Sequence, residues 1–167
     1  MADANQKLIR KLNDLIELDF DAIEAYTAAV ARLKNPDYRY QLEAFCGDHE
    51  RHTRNLSVLV RRMGGEPAKG PDAMRLLTKG KVVIGALVGD YAILLAMRAN
   101  EEVTNKRYEV ALAADGNLDA ETRSTLESNL ADERRHREWI AQQLKNEERE
   151  GSEGEAESTA SESDTIA

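Results

Sequence analysis

Two short segments, Asp48-His49-Glu50-Arg51-His52 and Asp132-Glu133-Arg134-Arg135-His136, lie 84 residues apart in a chain of 167. Upstream of each, an acid stands seven residues before a tyrosine: Asp19 before Tyr26, and Glu101 before Tyr108, 82 residues further on. A duplication at this spacing points to two helical hairpins built to one plan, with an acid on the first helix of each and histidine on the second. Four helices that aim carboxylates and imidazoles at one another can enclose a metal site within a bundle.

The periodicity of the chain agrees. Leu8, Leu12, Leu15, Asp19, Ile23, Tyr26, Val30 and Leu33 recur at alternating spacings of three and four, which predicts one helix near 4–33 with a single inward stripe. Asn35-Pro36 supplies a cap and a first-turn proline for a second helix near 37–64, whose stripe runs Leu42, Phe45, His49, His52, Leu56, Leu59 and Met63 to a Gly64-Gly65 stop. Residues 65–89 form a long connection, broken by Glu66-Pro67 and Gly70-Pro71, in which 72–88 could hold a short apolar helix. A connection of this length allows the third helix to start back at the opposite end of the bundle. Asp90 is a plausible cap for that helix, near 90–114, with Leu94, Met97, Glu101, Asn105, Tyr108 and Leu112 inward. After a turn at Asp115-Gly116-Asn117, a fourth helix near 119–147 turns Leu126, Leu130, Glu133, His136, Ile140 and Leu144 inward. The expected fold is all-α: a four-helix bundle with one long crossover between helices 2 and 3.

Composition narrows the function. From Glu147 to Ala167 eight acids face one base, a charge of −7 out of the total of −8, so residues 1–146 are close to neutral. The low isoelectric point therefore belongs to the tail, and no basic stripe suggests nucleic acid. Residues 1–147 are expected to form one domain, and 148–167, with almost nothing to bury, a disordered acidic tail. The single cysteine, Cys46, excludes an internal disulfide, a CxxC redox pair and a four-cysteine iron site. The N-terminus lacks the apolar core of a signal peptide, and the most apolar stretch, 82–97, is interrupted by Gly85, Gly89 and Asp90 and too short to span a bilayer. No membrane partner and a cytoplasmic location are the expectation.

On every helix the stripe is apolar except near its middle, where it carries Asp19, then His49 and His52, then Glu101, then Glu133 and His136. Residues three apart share a helix face, so His49 with His52, and Glu133 with His136, can each grip one ion. Carboxylate and imidazole suit iron, manganese or zinc. The competing explanation is a metal-free polar layer, salt-bridged or protonated, with Arg98 and Arg137 one turn from Glu101 and Glu133. Against it, two carboxylates about 4 Å apart repel by roughly 4 kcal/mol at an effective dielectric near 20. Three converging acids need a compensating cation. Glu102 is one residue out of phase with the stripe and stands as the fallback for Glu101. Asp48 and Asp132, four residues before His52 and His136, are alternative ligands, outer supports or surface residues, and Tyr26 and Tyr108 are inward, able to hydrogen-bond a ligand or simply to pack.

The acid-x6-Tyr pattern on helices 1 and 3, with Glu-x-x-His on helix 4, resembles the ferritin-like superfamily that includes bacterioferritins and rubrerythrins. Leu12-Asn13-Asp14-Leu15-Ile16-Glu17 and Arg61-Arg62-Met63-Gly64-Gly65-Glu66-Pro67 resemble the bacterial DUF2383 four-helix-bundle proteins. Carried over residue by residue, the ferritin-like pattern implies Asp19 and Glu101 as terminal ligands, Glu133 as a bridging ligand, and His52 and His136 as terminal ligands. The sequence departs from it twice: His49 stands where the first Glu-x-x-His has its bridging glutamate, and Asp19 is one methylene shorter than the usual glutamate. Histidine does not bridge two ions as a carboxylate does, which leaves open an asymmetric pair, a single ion or a decayed di-iron centre.

The resemblance implies iron handling or oxidative-stress defence. In its active form Fe(II) would be held by Asp19, His49, His52, Glu101, Glu133 and His136 and oxidised by oxygen or peroxide, as a ferroxidase or peroxidase-like oxidoreductase would do. A homodimer is compatible with such a bundle; a storage cage would require assembly surfaces that an acidic tail does not replace. The alternative, from a different class, is a non-catalytic stress or scaffold bundle that keeps a metal-free polar core layer.

Overall fold

The computed structural model describes residues 2–71, 87–113 and 118–163, with side chains from 4 to 149 within those ranges. Four helices carry it: α1 (Ala2–Val30), α2 (Pro36–Arg62), α3 (Asp90–Ala113) and α4 (Ala120–Ser163). The described residues contain no strand.

Helix ends follow from local chemistry. The Asn35 side chain accepts from the Asp37 and Tyr38 amides, with Pro36 in the first turn, so α2 starts where its cap dictates. At its far end Gly64 takes φ +79, the Gly64 amide donates to the Arg61 carbonyl, and the Gly65 amide donates to the Val60 carbonyl. That pair of bonds is a Schellman closure, and it needs a residue free of the left-handed penalty. Gly65 then passes so close to α1 that a β-carbon there would lie 2.8 Å from Ile9 Cγ2. Asn13 fixes the same corner: its amide donates to the Glu66 carbonyl at 2.9 Å, and its oxygen accepts from the Ala68 amide at 2.8 Å. Asp90, expected as a cap for its own helix, instead accepts from the Lys34 and Asn35 amides and ties the start of α3 to the α1–α2 turn.

These anchors set the topology. The end of α2 lies against the start of α1, whereas the start of α3 lies against the end of α1. The segment between them must therefore travel the length of the bundle, and this is the crossover expected from the sequence. The short apolar helix expected within 72–88 falls almost wholly outside the described residues, as does the Asp115-Gly116-Asn117 turn. α1 packs mainly on α2 and α3 on α4; the two hairpins meet through α1 with α3 and α2 with α4.

Two apolar clusters fill the bundle. One holds Tyr26, Leu33, Tyr38, Leu42, Phe45, Ile93, Leu94, Met97, Ile140 and Leu144; the other holds Leu12, Leu15, Ile16, Leu56, Leu59, Val60, Tyr108, Leu126 and Leu130. Burial of each large side chain contributes about 1.5–3 kcal/mol. Between the clusters lies a polar layer closed to solvent at both ends. The last helix departs from expectation: its backbone continues past 147 as far as Ser163. Tyr38 reaches Glu147 and Tyr91 reaches Glu148, each at 2.9 Å, which carries the helix beyond the last core residue, Leu144. None of the helices in the described residues is long and apolar enough to cross a membrane.

Candidate metal centre

Asp19, His49, His52, Glu101, Glu133 and His136 all occupy the polar layer, each with 0% of its surface exposed. Their ligand atoms fall into two groups. Asp19, His49, His52 and Glu133 form one and His49, Glu101, Glu133 and His136 the other, with the atoms of each group within 4.8 Å of one another. His49 and Glu133 belong to both.

The geometry is that of donors facing a common space. His49 Nδ1 lies 2.9 Å from Asp19 Oδ1 and 3.3 Å from Glu133 Oε1, while its Nε2 lies 3.7 Å from Glu101 Oε1. His52 Nδ1 is 3.2 Å from Glu133 Oε1, and His136 Nδ1 is 3.6 Å from Glu101 Oε2. These approaches are close enough for attraction between charges. Yet His49 Nε2, His52 Nδ1, Glu101 Oε2, both Glu133 oxygens and His136 Nδ1 are buried without a hydrogen-bond partner. Leaving one buried polar atom unpaired costs about 1–3 kcal/mol, so six at one place are explained best by a cation that uses their lone pairs. The residues present fit a divalent ion.

Outside this layer, a second set of residues fixes the first. His136 Nε2 pairs with Asp48 Oδ2 at 3.0 Å, and His52 Nε2 with Asp132 Oδ2 at 3.2 Å. Arg51 donates to Asp48 at 2.5 Å and Asp132 at 2.7 Å, and Arg135 to Asp132 at 2.5 Å and Asp48 at 2.6 Å. Two aspartates and two arginines thus close a ring over the outward edges of the two imidazoles. With Nε2–H donated outward, Nδ1 of each ring turns a lone pair inward, the form a metal ligand needs. On the opposite side Tyr26 donates to Glu101 at 2.7 Å and Tyr108 to Asp19 at 2.6 Å, and Asn129 donates to the Tyr108 hydroxyl at 3.2 Å. Asn105 donates to the carbonyls of Glu101 and Glu133, which locks α3 to α4 at the level of the site.

The sequence matches the profile of the domain of unknown function DUF2383 over residues 7–114. The chain belongs to the DUF2383 family. A crystal structure described as ferritin like, diiron-carboxylate proteins, from Bacillus anthracis str. Ames, aligns with this DUF2383 protein at TM-score 0.69 and 26% identity, covering 86% of this chain and 99% of the other. The dodecameric thioferritin of Bacteroides fragilis, described as bacterioferritin-related, aligns at TM-score 0.80 over 89% of this chain and 90% of its own; at 17% identity that likeness shows the fold. No curated protein matches the sequence. The DUF2383 chain is a ferritin-like four-helix bundle.

Charge is distributed unevenly in this DUF2383 core. Burial would push the imidazoles down, but the carboxylates around them prevail: His49 is held well above its ordinary range by Glu133, Asp19 and Glu101, His136 is raised by Asp48 and Glu101, and His52 is raised to about 9 by Asp19 and Glu133. Asp19 and Glu101 show the converse, with histidine partners overcoming burial to lower both. Glu133 is pushed up, first by burial and then by the charges of Glu101 and Asp19. Tyr26 and Tyr108, raised by burial and by the adjacent carboxylates, remain protonated donors.

The fallback Glu102 and the neutralising role of Arg137 are corrected, whereas Asp48 and Asp132 take the outer-support alternative. Arg137 reaches exposed Glu102 at 3.5 Å, leaving Glu101 to Tyr26 and the histidines, so Glu102 has no place in the layer. Asp48 and Asp132 each serve the histidine of the other hairpin, because the two helices cross with their repeats face to face. Arg51 and Arg135 were overlooked in the sequence, although the repeated Asp-x-x-Arg-His carries them at equivalent places.

Proposed function

We propose that this protein binds iron in its polar layer, through Asp19, His49, His52, Glu101, Glu133 and His136, and acts in iron handling or oxidative-stress defence. Manganese and zinc suit the same donors. The observation that carries this reading is the set of buried, unpartnered lone pairs converging from four helices. The likeness to a structure described as a diiron-carboxylate protein supports it further.

Iron bound there would supply one-electron exchange with oxygen or peroxide. The chain's own residues would do the rest. Asp48 and Asp132 hold the proton on the outer nitrogens of His136 and His52. Tyr26 and Tyr108, each donating a hydrogen bond, keep Glu101 and Asp19 oriented. The apolar clusters above and below exclude water, which strengthens the attraction between carboxylates and a cation. With Cys46 as the lone cysteine, electrons for repeated turnover would come from an external reductant or from Fe(II) itself. Exposed Tyr91, Leu95, Val103 and Val110 along α3 are compatible with a homodimer.

One observation favours the scaffold reading: three raised imidazoles face three carboxylates, and His49 hydrogen-bonds Asp19 at 2.9 Å, so a fully protonated layer is neutral without metal. The two readings separate on a simple assay. Metal-free protein is loaded anaerobically with Fe(II) and then exposed to oxygen, and ferric absorbance is followed. Oxidation faster than in buffer, lost in His136→Ala, is the expected result. A rate equal to buffer in the folded wild type would contradict the oxidising role.

A further inference from the structure

His49 stands where a ferritin-like di-iron bundle places its fourth glutamate. Such bundles use a Glu from each of two helices and a Glu-x-x-His from each of the other two, hence four negative charges against two divalent ions. Here Asp19, Glu101 and Glu133 supply three. Two divalent ions in this layer would leave one positive charge enclosed by apolar side chains, an unfavourable state unless a further negative group compensates.

The ring's placement answers this. Its Nδ1 faces the first donor group, 2.9 Å from Asp19 and 3.3 Å from Glu133; its Nε2 faces the second, 3.7 Å from Glu101 and without a hydrogen-bond partner. Tyr26, His52 and His136 pack around the ring, with centroids 5.2, 5.5 and 5.4 Å away. Apart from Glu133, it is the residue common to both groups.

We propose that His49 bridges two divalent ions as an imidazolate, giving Nδ1 to the ion shared with Asp19 and His52 and Nε2 to the ion shared with Glu101 and His136. This rests on the metal-binding reading above. Each ion then has four protein donors, counting Glu133, which serves both. The ring gives up both of its N–H protons to solvent as the two ions bind, and the charge count returns to four negative against four positive. A carboxylate bridges through two oxygens on one carbon; imidazolate does so through opposite sides of a ring, which is why a histidine can hold this position.

The test uses Cu(II), which binds nitrogen and oxygen donors more strongly than the neighbouring divalent metals. Full-length metal-free protein is titrated with Cu(II), desalted, analysed for copper and examined by low-temperature electron paramagnetic resonance. Two coppers per chain are expected, with integrated spin intensity well below that of two independent Cu(II) ions, because imidazolate couples them antiferromagnetically. His49→Gln, checked for helicity by circular dichroism, should lose the coupling. One copper per chain, two uncoupled coppers, or coupling that survives in His49→Gln would overturn the bridge and leave metal binding standing. Absence of tightly bound copper would overturn both.

Discussion

Asp48 on α2 pairs with His136 on α4, Oδ2 to Nε2 at 3.0 Å, and not with His52 one turn along its own helix. Asp132 makes the reciprocal pair with His52. Each hairpin therefore orients the other's imidazole, and the two halves of the repeat are completed only when the bundle is assembled. In spite of partial burial, Asp48 is held below the usual carboxylate range by His136 and Arg51, and Asp132 by His52, Arg135 and Arg51, while Arg51 and Arg135 each touch both aspartates.

Replacing either aspartate should show what that orientation contributes. Asp48→Asn and Asp132→Asn keep the shape and lose the charge that fixes the histidine tautomer. Metal affinity should fall about 10–100-fold in each. Competition against a chelator of known affinity measures it, and an unchanged affinity would mean that the ring only joins α2 to α4.

The pH dependence of the metal-free protein has a defined sign. His52 has a folded value near 9, above its unfolded value near 6.5, so its contribution is complete below about 6.5 and is lost as pH rises through about 9. A shift of that size corresponds to about 3 kcal/mol. His49 and His136 are raised too and act in the same direction. Urea unfolding of chelator-treated protein should give lower stability at pH 10 than at pH 6, with a shallower slope in His52→Gln. On the acid side, lowered Asp19 and Glu101 contribute stability that disappears as pH falls below the usual carboxylate range.

Tyr108→Phe removes one oxygen from the core. Asp19 Oδ2 then loses the 2.6 Å bond it accepts, and Asn129 loses its acceptor. Leaving a buried partner unsatisfied costs about 1–3 kcal/mol, measurable as a lower urea midpoint. If Asp19 is a ligand, bound metal should recover part of that loss, because stabilisation by a bound ion grows with its saturation.

The acidic C-terminal segment tests a different link. Residues 150–167 contain one large aliphatic residue, Ile166, so they have little apolar surface with which to offset the entropy of ordering. A chain ending at Arg149 keeps the Tyr38–Glu147 and Tyr91–Glu148 bonds. Its melting temperature should stay within about 2 °C of the full chain, a change under roughly 1 kcal/mol at this size. A larger drop would mean that the segment packs on the bundle.

Much of this was legible in the sequence, for a physical reason. Spacings of three and four fix which side of a helix faces inward, so the six inward donors and the crossover followed from periodicity and one long connection. Partners across helices are set by the rotation and height of one helix against another, which periodicity does not carry. Along the chain Asp48 and Asp132 are placed only by their spacing from His52 and His136 on their own helices, which carries neither the cross-pairing nor a role for Arg51 and Arg135. Asp90 follows the same pattern: good cap chemistry was recognised, but its target, the Lys34 and Asn35 amides, depends on how α1 ends beside α3. The extension of α4 to Ser163 departs from a composition that favours no burial. Asn13 links the two segments that resemble the family, since its side chain holds the strand of chain after Gly64-Gly65.

Glu133 is common to both donor groups, and both of its oxygens are buried without a hydrogen-bond partner. The most direct test of a metal centre is elemental analysis of the full-length protein purified without chelators, beside Glu133→Gln prepared in parallel. The expected result is at least one iron, manganese or zinc per chain in the wild type and a marked loss in the variant, with both proteins equally helical by circular dichroism. A folded wild type that carries no more metal than the variant, even after loading with Fe(II), would contradict the metal centre and leave a protonated polar layer in its place.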